Sequence, residues 1–117
     1  MILTMHDKEE ELANNLRKAG KMVQQAQVQI HTAEANLKRE IAVQKVIAGE
    51  QRNLKSNAAQ DRWADEQESV YQARIDLGIA KGNLEAARCE VMAVEAEFKI
   101  WQSKQADLRF ERRVYGG

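Results

Sequence analysis

"VYQARIDLGIAKGNLEAARCEVMAVEAEFKIW", residues 70–101, decides the fold. Val70, Ala73, Leu77, Ala80, Leu84, Ala87, Val91, Val94, Phe98 and Trp101 follow one another at alternating steps of three and four. An α-helix turns once in about 3.6 residues, so this spacing draws one apolar line along a helix, the seam of a coiled coil. Alanine fills alternate seam positions from Ala73 to Ala87. The line extends back to Trp63 and forward to Leu108 and Tyr115.

The first half of the chain repeats the device. Leu12, Leu16, Ala19, Val23, Ala26, Ile30, Ala33 and Leu37 form a second seam, again with alanine in one series from Ala19 to Ala33. Between the halves lies "AGEQRNLKSNAAQD", residues 48–61, where Gly49 is a plausible helix stop and Ser56 or Asn57 a plausible helix start. The expected architecture is all-α: a long antiparallel two-helix coiled-coil hairpin. Its helices cover about 6–48 and 57–114, with a turn at 49–56, a short tail at 115–117, and one domain over residues 1–117.

The two seams constrain each other. Folding the chain about Lys55 sets Leu37 against Ala73, Ala33 against Leu77, Ile30 against Ala80, Ala26 against Leu84, Val23 against Ala87 and Ala19 against Val91. Each layer then holds one large residue and one alanine, which keeps the volume per layer nearly constant. Further out, Leu16 would meet Val94 and Leu12 would meet Phe98; near the turn, Ile47 would meet Trp63. A slip of one heptad would preserve the same large-with-small pairing.

Helix two carries a second apolar line, opposite the seam: Ile75, Ile79, Gly82, Ala86, Cys89, Ala93, Ala96 and Ile100. A helix with one covered side should be polar on the other. Gly78 and Gly82 near this face each lower helix propensity by about 1 kcal/mol relative to alanine, which makes sense where another backbone comes close. A two-helix hairpin of this length also has little core of its own. The expectation is an obligate homo-oligomer with this outer stripe as its interface. Helix one shows a related excess in "IAVQKVIA", where Ile41, Val43, Val46 and Ile47 spread around the helix.

Composition agrees with long helices: 117 residues, no proline and two each of Trp, Tyr and Phe. Basic and acidic residues number eighteen each, a poor match to a general nucleic-acid coat or membrane-surface protein. The opening "MILTMHDKEEE" lacks the basic and apolar regions of a signal peptide, and no apolar run approaches the roughly 20 residues of a membrane helix. The single Cys89 cannot form an internal disulfide, which suits a reducing cytoplasm. No membrane association is expected.

Catalytic chemistry has little to stand on. His6 and His31 are far apart and belong to no metal-ligand spacing, and "GIAKG" (Gly78 to Gly82) lies inside a helical pattern rather than after a strand. The carboxylates Glu85, Glu90, Glu95 and Glu97 read as solvated flanks. The expectation is a protein that is not an enzyme, with no catalytic residue, cofactor or metal.

Charge is distributed unevenly. Residues 17–55 hold eight basic and three acidic residues, net plus five; residues 61–97 hold four and nine, net minus five; residues 98–117 hold five and two, net plus three. Two basic groups are candidates for nucleic-acid contact: Lys38, Arg39, Lys45, Arg52 and Lys55, and at the far end Arg109, Arg112 and Arg113 with Tyr115. Arginines supply phosphate contacts and an aromatic ring can stack on an unpaired base. Phe98 and Trp101 fall on the seam and belong to packing. Arg112 occupies a seam position, which marks where hairpin packing ends.

The stretches "QESVYQARIDLGIAKGNLEAARCE" and "EVMAVEAEFKIWQSKQADLRFERR" together resemble the phage recombination mediators of the UvsY type. In these a closing helix carries an apolar-x-x-Trp element followed by an arginine-rich end. The resemblance covers about residues 58–113, and Trp101, Arg109, Arg112 and Arg113 match the Trp-then-Arg element. It implies a ring-like homo-oligomer that binds single-stranded DNA and helps a RecA-like recombinase replace the single-strand-binding protein there, in the bacterial host cytoplasm. The acidic middle of helix two departs from what a DNA path needs. The alternative is a small helical phage-type interaction module, or an inhibitor of a host defence complex, without DNA binding; a third is a purely structural coiled coil.

Overall fold

A computed structural model describes residues 5–115, with side chains described from residue 6 to 114. Three helices follow in order: α1 (Met5–Gln51), α2 (Asn57–Asp65) and α3 (Glu68–Tyr115), and no strand occurs among the described residues. The chain packs as two compact units, one formed by Met1–Val23 with Ala86–Gly117 and the other by Gln24–Glu85.

In the Gln24–Glu85 unit, α1 meets α2 and the first part of α3 in antiparallel fashion. Its buried apolar residues are Ala26, Ala48, Ala64, Val70, Ala73, Ala80 and Leu84, five of the seven being alanine. The large seam residues Ile30, Leu37 and Leu77 are only half-buried. Alanines thus occupy the line of closest approach, and the branched side chains close over its flanks. In the other unit Leu12, Ala19, Ala87 and Val94 are buried, while Leu16, Val23, Val91 and Phe98 are half-buried.

The cross-helix contacts fit the register folded about Lys55. Asn83 donates from its amide to Gln29 Oε1 at 3.2 Å, and Gln44 donates to Ser69 Oγ at 3.2 Å. Gln29 and Asn83 each precede a seam residue, Ile30 and Leu84, and in an antiparallel pair such flanking residues meet when Ile30 faces Ala80 and Ala26 faces Leu84. In the other unit Asn15 and Glu97, and Met22 and Glu90, stand in the same relation around one recess.

At the turn, α1 runs to Gln51, past the expected stop at 48.

Gly49 is therefore not the helix stop. It sits inside the last turns of α1, where a Cβ would lie 3.1 Å from Gln60 Nε2. That amide donates to Leu54 O at 2.9 Å, so the missing side chain leaves room for a bond that braces the connection. Asn53, at φ 55, makes the left-handed step instead, and Leu54 N–H returns to Ala48 O at 3.0 Å. Asparagine tolerates this conformation better than most residues. Ser56 caps α2 as the sequence suggested, accepting from Ala59 N–H at 3.1 Å.

The expected second helix is interrupted at Glu66 and Gln67. Glu66 N–H bonds Trp63 O and Gln67 N–H bonds Ala64 O, tight i−3 bonds that end α2. The run Asp65, Glu66, Glu68 accounts for the position. Carboxylates oppose the negative C-terminal end of a helix dipole and suit the positive N-terminal end, so acid here favours closing α2 and opening α3. Arg74 spans the break with a 2.8 Å bond to Asp65 Oδ1, and Gln67 Nε2 donates to Trp63 O at 2.9 Å.

Candidate nucleic-acid interface and assembly surface

The two basic groups have different surroundings. In the Gln24–Glu85 unit, Lys38, Arg39 and Lys55 are exposed. Lys45 is not free: its ammonium lies 2.9 Å from Asp61 Oδ1, with the side chain 30% exposed, and ties α1 to α2. The Arg52 guanidinium sits over the Trp63 ring at 5.9 Å from its centroid. Such a contact contributes about 0.5–1 kcal/mol at an exposed site. Lys45 and Arg52 thus hold α2 against the end of α1, leaving Lys38, Arg39 and Lys55 as the open cations of this group.

At the other end, Arg109, Arg112 and Arg113 are all exposed on the last turns of α3. Arg109 Nε makes a long bond of 3.4 Å to Gln105 O. Among the described residues, none of the three has a carboxylate within ion-pair distance. The side chain of Tyr115, the aromatic partner expected from the sequence, lies outside the described residues.

Another aromatic takes that place. Phe110 is 63% exposed, and Ala106, Arg109, Phe110 and Arg113 together line an open recess of about 320 Å³. All four residues belong to α3, so no second helix covers this surface among the described residues. Phe110 was not among the aromatic candidates drawn from the sequence. The overlooked signal is spacing: Ala106 four residues before the ring and Arg113 three after it neighbour it on the helix surface, and Arg109 lines the same recess. Phe98 and Trp101 behave differently. They are half-buried and meet edge to face, with centroids 6.1 Å apart and planes at 69°. Trp101 also lines a recess of about 360 Å³ with Lys8, Leu12, Glu97, Ile100 and Lys104.

The outer stripe is uncovered in both units. In the Gln24–Glu85 unit, Ile75 and Ile79 are exposed, Ile79 to 54%, and nothing lies within 4 Å of a Cβ built on Gly82. In the other unit, Ala86, Cys89, Ala93 and Ala96 are exposed, with Ile100 at 56%. None of these residues contributes to the chain's own buried core.

No group of three or more His, Cys, Asp or Glu side chains is placed to hold a metal among the described residues. No helix there is long and apolar enough to cross a membrane. No known protein family, characterised protein or solved structure matches this chain.

Proposed function

We propose that the chain is a self-assembling single-stranded-DNA-binding protein that acts as a recombination mediator, helping a RecA-like recombinase replace a single-strand-binding protein. The observation that carries this reading is the end of α3, where Arg109 and Arg113 line a recess with the exposed Phe110 and Arg112 is exposed on the same turns. Guanidinium groups neutralise phosphates, and a ring beside them accepts a base. Lys38, Arg39 and Lys55 supply a second, weaker basic surface.

One copy offers few contacts, so assembly is part of the mechanism. The uncovered Ile75, Ile79 and Ile100 line supplies apolar surface for it, with Gly82, Ala86, Cys89, Ala93 and Ala96 allowing close approach. The chain exposes 8933 Å², against about 6,400 Å² expected of a compact monomer of its mass, leaving area for burial between copies. A strand touching several subunits gains avidity, and this offsets the weakness of each site.

The test is fluorescence anisotropy of a labelled single strand across a salt series. Affinity should fall steeply with salt, by a slope of about 0.7 per phosphate neutralised on single strands. Reversing Arg109, Arg112 and Arg113 to glutamate should remove about two units of that slope for each engaged subunit. Absence of binding near physiological salt, or binding indifferent to salt, refutes the proposal. A second reading, a protein-interaction module or inhibitor without DNA binding, is favoured by the exposed Glu90, Glu95 and Glu97 on α3, acidic surface that suits a protein partner better than a DNA strand. A stable assembly that ignores oligonucleotides would select it.

A further inference from the structure

We infer that Phe110 is a stacking platform for an unpaired base, with Arg109 and Arg113 beside it holding the strand's backbone, so that the end of α3 takes single strands in preference to duplex. This rests on the reading of the chain as a DNA-binding protein and adds the group that discriminates between strand forms.

Phe110 is 63% exposed and Val114, one turn on, 53% exposed, so the end of α3 carries an uncovered apolar patch rather than one isolated ring. What surrounds Phe110 selects the occupant. Arg109 and Arg113 line the same recess, and Ala106, one turn earlier, leaves the ring's approach low and open. A second apolar helix laid here would bring the two guanidinium groups against apolar surface or against a second copy of themselves. A nucleic-acid strand satisfies both parts at once, because it presents a flat π-face and an anionic backbone within one nucleotide. In duplex DNA the base faces are already stacked on their neighbours, so only the arginine contacts remain usable. Discrimination therefore belongs to the ring and general affinity to the cations.

The experiment uses the full chain and three labelled probes of one length: a single strand, its duplex, and an abasic single strand that keeps the phosphates and lacks the bases. The unaltered protein should bind the base-bearing strand more tightly than the abasic one. Phe110→Ala should weaken binding to the base-bearing strand by roughly 5- to 150-fold, the range for removing one stacked base. It should leave abasic and duplex binding unchanged, with the same salt slope, because no charge is lost. Phe110→Trp should restore the preference. Native mass and helical content are recorded for each variant. If Phe110→Ala binds base-bearing and abasic strands in the same ratio as the unaltered protein, the stacking role is overturned while DNA binding stands. If the variant changes the native mass, Phe110 is an assembly contact and the inference is equally overturned. If the unaltered protein binds none of the probes, the functional reading falls, and the stacking role with it.

Discussion

Ala80→Leu tests the packing most directly. Ala80 is 0% exposed on the buried seam of the Gln24–Glu85 unit. Leucine adds three carbons where two backbones approach most closely, with no void to receive them. The helices must separate or the side chain must leave its preferred rotamer, at a cost of about 1–3 kcal/mol. For a chain of this size each kcal/mol lowers the melting temperature by about 3–6 °C, so a fall of roughly 5–15 °C is expected. Urea and thermal unfolding followed by helical circular dichroism measure it. Ala58→Leu, at an exposed position of α2, is the control and should stay within about 0.5 kcal/mol of the unaltered protein. Register is read separately with cysteine pairs in a Cys89→Ser background. A pair at 30 and 80 should crosslink readily, whereas a pair at 30 and 73, one heptad away, should crosslink poorly. An Ala80→Leu protein as stable as its control, or failure of 30 to crosslink with 80, refutes this packing.

Three further outcomes follow from the same geometry. Gly82→Ala adds a methyl group to open space within a helix and should stabilise the isolated chain by about 0.5–1 kcal/mol in urea unfolding; a loss of stability would show that space to be occupied. Ile79→Asp with Ile100→Asp charges the outer stripe without touching the buried line, so native mass should fall to that of a smaller species while helical content persists; an unchanged mass removes the stripe from the assembly surface. Ser56→Ala deletes the bond to Ala59 N–H and should cost about 1 kcal/mol, and a midpoint indistinguishable from the unaltered protein would mean the cap contributes nothing.

The legible parts of the fold were those encoded by period. The alternating three-and-four spacing from Val70 to Trp101 needs only helix geometry to become one face, and Ala73, Ala80, Ala87 and Val94 on that seam are buried. The cap at Ser56 was legible because its side chain acts within three residues of itself. The break at Glu66 was harder to see, since the heptad phase from Trp63 to Val70 passes through it unchanged. Its signal was charge, in the acidic run beginning at Asp65. Among the candidate contacts, Lys45 and Arg52 read as free cations in sequence and prove to be engaged with Asp61 and Trp63, partners placed by the turn.

The sequence by itself determined that this chain is helical, which face of each helix is apolar, and where the chain reverses. Those properties come from spacing along one strand of backbone. The register was decided in three dimensions. Two seams of alternating large and small residues keep the same large-with-small pairing after a slip of one heptad, and period cannot separate the two. The polar pairs Gln29 with Asn83 and Gln44 with Ser69 mark the register adopted. The same tertiary packing covers Trp101 with α1 and leaves Phe110 in the open, separating two aromatics that lie nine residues apart on one helix.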